Sequence, residues 1–221
     1  MTTLATQLKL AIEEWSHELL RESLLMKLAK QGKLPPRAFA FYLESLRYLF
    51  QNSQQNLLTA ASAAERIRQP ELVQYFERKA QEERGHDHWA IHDLSRLPAH
   101  AASDQRPARA IQDLVAFQRT LIEQHPIYMV VYTLWAEYFT VLLGDEWLDA
   151  LSVSGYARAQ VSSIAKHLDA DREHAAGGLA DVDRLWRGQP ERSSLLGVVE
   201  RAGRIFARFC DEVCGEAERA A

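Results

Sequence analysis

Apolar positions along the chain recur with helical spacing from one end to the other, and no segment alternates in the two-residue rhythm of a half-buried strand. Residues 3–31 carry such a rhythm, broken once at most, and Gly32 is a natural stop. A second helix is expected after the Pro35-Pro36 pair, running to about residue 67, and a third from Pro70 to about residue 97. The stretch "PAHAASDQRPA" has no apolar periodicity and reads as the clearest loop. Helices follow over about 108–124 and 126–144, the second ended by Gly144. "DEWLDALSVSG" suggests a short helix, and the long one after it is expected to stop at Gly177 and Gly178. A last helix covers about 191–218. The fold class is all-α, and 221 residues suit a single domain over 1–221.

The segment "PIYMVVYTLWAEYFTVLLG" approaches the length of a membrane span. Glu137 near its middle, and the lack of a flanking Lys/Arg cluster, favour a helix buried on all sides of a bundle, with no membrane partner. A net charge of -4 gives no basic surface for nucleic acid. The N-terminus lacks the basic and apolar regions of a secretory signal, and the two cysteines, Cys210 and Cys214, are poorly spaced for a disulfide. A cytoplasmic location is the expectation.

The chemistry is concentrated in three places. In "KHLDADREH", His167, Asp171 and His174 are four and three residues apart, which puts them within about 60° of one another on a helix. Asp169 and Glu173 fall off that stripe and should face water. In "QEERGHDHW", Glu83 and His86 form a Glu-x-x-His pair, a unit that helix bundles use to hold metal ions. Glu137 is a carboxylate in an apolar helix, where an unpaired charge is costly. It must be protonated, metal-bound, or paired with a cation from elsewhere, for instance an arginine near 158 or 172. Together these helices offer three carboxylates and three imidazoles, a set suited to iron or manganese.

With these motifs the chain resembles the heme-oxygenase-like di-iron oxidases, relatives of the thiaminase-type and pyrroloquinoline-quinone-synthase-type proteins. The resemblance rests on "EERGHDHWAIHDL", "LWAEYFT" and "KHLDADREH", and in helix order it spans about residues 10–215. It implies a bundle of about seven helices around two non-heme irons, with dioxygen as co-substrate and a small organic or lipid-like molecule as substrate. Decarboxylation, carbon-carbon cleavage and N-hydroxylation all occur in the group. Carried over, Glu83, His86, Glu137, His167, Asp171 and His174 would be metal ligands. The group also uses a glutamate on the second helix, but here the matching stretch, "YLFQNSQQN", holds no acid. Glu44, more than a turn earlier, is the nearest candidate for a seventh ligand.

Two other classes compete. A metal-binding but catalytically silent member of the same fold is favoured by the missing glutamate. A heme-degrading enzyme would need His17 at a flat cleft. His88 and His92 read as surface or interhelix histidines, Asp93 as either an acceptor for a ligand imidazole or a cap, and both cysteines as core. Proteins of this size and class often pair, so a homodimer is the assembly to look for.

Overall fold

The computed structural model describes residues 2–98, 101 and 106–219. Among these residues the secondary structure is helical, with no strand. In chain order the helices are α1 (Leu4–Glu22), α2 (Leu24–Lys30), α3 (Pro36–Arg66), α4 (Pro70–Glu82), α5 (His86–Leu94), α6 (Arg109–Gln124), α7 (Ile127–Val153), α8 (Ser162–Leu185) and α9 (Arg192–Arg219). Part of the expected loop over 98–108 lies outside the described residues.

Local chemistry accounts for several boundaries. Pro36 and Pro70 each stand in the first turn of their helices, where the missing N–H costs nothing. Ser23 separates α1 from α2, and its hydroxyl accepts from the Met26 N–H at 3.4 Å. Gly32 takes the left-handed conformation (φ 67°) that ends α2.

Elsewhere the helices ignore their glycines. Gly144 does not end its helix: α7 runs on through the expected short helix to Val153. Gly177 and Gly178 likewise sit inside α8. The reason is packing between α7 and α8. A Cβ at Gly144 would lie 2.6 Å from Leu168 Cδ1, and one at Gly178 would lie 3.1 Å from Leu134 Cδ1. These glycines allow two helices to approach closely; they are not stop signals.

α7 is the central helix. By length and composition it could cross a membrane, but most of its apolar window is covered by the other helices. Val130, Val131 and Leu151 are fully buried. α8 packs along it, α9 crosses α1, α3, α6 and α7, and α3 carries α4, α5 and α6. This arrangement brings α4 and α8 together around Glu137 of α7, with α5 packed against α8.

Candidate metal centre

Helix α4 buries Leu72, Tyr75, Phe76, Lys79 and Ala80. Those positions are spaced three and four apart, the apolar stripe of an amphipathic helix. Lys79 occupies a stripe position and is 5% exposed. The helix then stops at Glu82, and Gly85, at φ 82°, turns the chain into α5. Glu83 and His86 therefore do not share one continuous helix. The turn between them brings them close instead, with His86 Nδ1 3.6 Å from Glu83 Oε2.

α8 supplies the opposite wall. His167, Asp171 and His174 face inward, while Asp169 and Glu173 are exposed. The start of α8 is held by Asp93 of α5, which is completely buried. Its carboxylate accepts from Ser162 Oγ at 2.5 Å and from the Ser163 N–H at 2.7 Å. Asp93 is thus a cap, acting across to another helix and not on the segment that follows it. The Ser163 carbonyl in turn accepts from His167 Nδ1 at 3.1 Å. A carbonyl can only accept, so the Nε2 of a neutral His167 carries a lone pair.

Two groups of ligand-type side chains result. In the first, Glu83, His86 and His167 each offer an atom, all within 4.8 Å of one another. His86 Nδ1 and His167 Nε2 are buried and have no hydrogen-bond partner among the described residues. Aromatic rings enclose them: Phe50 stacks on His167 at 4.1 Å between centroids, and Trp89 on His86 at 4.1 Å. Burial holds the His167 pKa below its usual value, so this imidazole stays neutral. Burial also opposes ionisation of Glu83. The His86 imidazole 3.6 Å away, with His167 close by, outweighs it and keeps the carboxyl below its ordinary range. Two imidazole nitrogens and a carboxylate fit one divalent cation with open positions.

The second group is Glu82, Glu137 and His174, again within 4.8 Å of one another. Here a cation is already present. Lys79 Nζ lies 2.7 Å from Glu137 Oε1 and 2.7 Å from Glu82 Oε2. The partner of Glu137 is this lysine and not an arginine. Arg172 is engaged by Asp145 at 2.7 Å and by Asp169 at 3.2 Å. Burial pushes the Glu137 carboxyl up to about 7 against the pull of Lys79, and its Oε2 has no hydrogen-bond partner among the described residues. Burial opposes charge on Lys79, but Glu137 and Glu82 more than offset it and raise its pKa. His174 is raised chiefly by the Asp171 carboxylate, 3.7 Å from its Nδ1. As arranged, these residues do not fit a second metal ion.

Glu44 is not part of either group. Both its oxygens accept from Arg47, at 2.7 and 2.8 Å. The residue that α3 turns toward His167 is Phe50, whose ring stacks on the imidazole. Lys79 and Glu82 were missed in the sequence. Lys79 was detectable as the one charged residue on the apolar stripe of α4, but Glu82 had no comparable signal.

A cavity of about 200 Å³ adjoins both groups. Glu83, Lys79, Glu137, His167 and Asp171 are among its polar lining residues, and Leu46, Phe50, Tyr132, Trp135 and Phe139 belong to its apolar wall. Cys210 also lines it, but burial pushes that thiol up to about 12, so it is a protonated core group. Cys214 is similarly raised to about 11 by burial. His17 is exposed on α1, and His88 and His92 are exposed on α5.

No family model matches the chain, and no curated protein sequence does. Solved structures do match. A domain of unknown function with a heme oxygenase-like fold from Shewanella denitrificans superimposes with a TM-score of 0.85 at 19% identity, covering 96% of this chain and 93% of that one. A TenA homologue from Pseudomonas syringae gives 0.77 at 14% identity, with 96% and 93% covered. Heme oxygenase-1 from Synechocystis, solved in complex with heme, gives 0.68 at 14% identity, with 99% and 96% covered. Likeness over nearly the whole length, at identities this low, speaks for architecture alone: the chain is an all-α bundle with the heme-oxygenase-like fold.

Proposed function

We propose that the protein is a non-heme iron-dependent oxidoreductase that uses dioxygen to oxidise a small, largely apolar molecule. The observation that carries this reading is the convergence of Glu83 with two unpartnered imidazole nitrogens, of His86 and His167, where Glu83 and His167 also line an apolar cavity. Two histidines and one carboxylate with open positions are the donor set of non-heme iron(II) oxygenases. Iron held there would supply the electrons for reducing dioxygen.

The remaining work falls to the chain's own residues. Glu83, His86 and His167 hold the ion. The backbone carbonyl of Ser163 fixes the His167 tautomer. Phe50 and Trp89 exclude water from the imidazoles, and the apolar wall binds and orients the substrate against them. The two-iron form of this function needs a further ion among Glu82, Glu137 and His174, where the Lys79 ammonium lies.

The test is anaerobic loading with iron(II) followed by oxygen-uptake measurements. Iron should bind to the parent protein, and oxygen uptake should depend on His86 and His167. Iron binding without oxygen uptake would favour a catalytically silent metal protein, the reading that Lys79 among the acids supports. No iron binding would end the proposal. A heme-degrading function finds less support, because His17 is exposed and is not among the residues lining the cavity.

A further inference from the structure

We propose that the Lys79 ammonium stands in for a second metal ion and limits this centre to one. The inference rests on the metal-binding reading of Glu83, His86 and His167, but it concerns the neighbouring group. Glu82, Glu137 and His174 present two carboxylate oxygens and an imidazole nitrogen within 4.8 Å, a span that ligand atoms around a single ion would have. Lys79 Nζ occupies that space, 2.7 Å from both carboxylates.

Three features make the substitution a built one. The lysine stem leaves the buried face of α4 beside Tyr75, Phe76 and Ala80, so the ammonium is delivered from a packed position. Its side chain is 6% exposed, and that of Glu137 is 9% exposed, so neither charge has ready access to water in place of its partner. Asp171 adds a further carboxylate, 3.7 Å from His174 Nδ1. Without Lys79, Glu82 and Glu137 would face one another with no ammonium between them and Asp171 close by on His174, and a divalent ion would be the natural replacement. With Lys79 in place, the two positive charges would compete for the same oxygens at contact distance. Lysine and metal therefore exclude one another at this position.

The experiment is manganese(II) stoichiometry, measured by elemental analysis after desalting, on four full-length proteins: the parent, Lys79→Ala, His86→Ala and the double variant. One ion per chain is expected for the parent, two for Lys79→Ala, none for His86→Ala and one for the double variant. An unchanged count in Lys79→Ala overturns the inference, as does a parent that binds two ions with its lysine intact. Failure of the Glu83–His86–His167 reading looks different: the parent would then bind none, while the gain on replacing Lys79 would still be seen.

Thermal melting gives a second readout in case Lys79→Ala does not fold without metal. Lys79→Met keeps an unbranched stem, and its metal-free form should melt below the parent. Manganese(II) should then raise its melting temperature by more than it raises the parent's. An equal or smaller shift in the variant overturns the inference.

Discussion

The two groups around Glu137 and His167 are built from the same residue types and stand in opposite chemical states. In the first, aromatic rings enclose His86 and His167 beside Glu83, and His86 Nδ1 and His167 Nε2 have no hydrogen-bond partner among the described residues. Glu82, Glu137 and His174 surround an ammonium that forms ion pairs with both carboxylates. The difference comes from one turn of chain. Lys79 lies on the apolar stripe of α4 and reaches the second group, whereas the left-handed Gly85 directs His86 into the first. A buried imidazole lone pair without a partner is costly to keep. A cluster of that kind points to an absent ligand far more strongly than a count of acids and histidines does.

The largest effect expected from this contrast is on metal affinity. His86→Ala and His167→Ala each remove a nitrogen with no other partner, so iron(II) or manganese(II) affinity should fall by at least about 100-fold, the upper end of what loss of an outer-shell partner costs. His174→Ala should lower it by less than about tenfold, since His174 belongs to the lysine side. Titration calorimetry on the three variants checks this. The reverse ranking would exchange the roles of the two groups.

Next in size is Asp93. Its carboxylate holds the start of α8 through Ser162 and Ser163, and Ser163 in turn holds His167. Asp93→Ala leaves a buried N–H without an acceptor and removes a cap, costing about 2–3 kcal/mol of stability by chemical denaturation. Because the chain of bonds ends on His167, metal affinity should drop about tenfold as well. A variant that loses stability but binds metal as the parent does would confine Asp93 to the fold.

Much of this architecture was legible in the sequence. Helical periodicity from end to end, with Pro36, Pro70 and Gly32 as boundaries, is local information and needs no tertiary contact. The stripe of His167, Asp171 and His174 was legible for the same reason. The structure departs from the expectation, or adds to it, where a residue's role depends on more than the apolar pattern around it. Gly144 and Gly178 look like stops, yet each faces a leucine across the α7–α8 contact. Gly85 sits inside an apparently continuous helix, and only its positive φ separates Glu83 from His86. Glu44 has the right chemistry in roughly the right place, but Arg47 one turn on takes both its oxygens. Lys79 reads as an ordinary charge unless the burial of its stripe is taken seriously.

The two groups should also pull the stability of the metal-free protein in opposite directions with pH. His174 has a raised pKa, with Asp171, Lys79, Glu82 and Glu137 around it. Its stabilisation is fully present below the unfolded value of about 6.5 and is lost as pH rises through the folded one. His167, facing Glu83, His86 and Asp171, is depressed by burial. Its contribution is present above about 6.5 and is lost as pH falls through the folded value. Denaturation of His174→Gln and His167→Gln between about pH 5.5 and 8 checks the signs. The deficit of His174→Gln relative to the parent should shrink as pH rises, and that of His167→Gln should shrink as pH falls. Parallel profiles would mean that the two imidazoles share one electrostatic environment.

The smallest effect separates the groups by position. A methyl at Gly178 would lie 3.1 Å from Leu134 Cδ1 and 3.6 Å from Glu137 Oε2. Leu134 has to yield by a few tenths of an ångström, and a leucine side chain can do so. In return, alanine inside α8 gains about 1 kcal/mol of helix propensity over glycine. Gly178→Ala should therefore change stability by less than about 1 kcal/mol in either direction. Its methyl abuts Glu137 on the lysine side. The pH-dependence of stability above pH 6 should shift slightly, while manganese(II) affinity at Glu83, His86 and His167 stays at the parent value. A several-fold change in that affinity would show that the two groups are mechanically coupled through α8 and cannot be treated as separate.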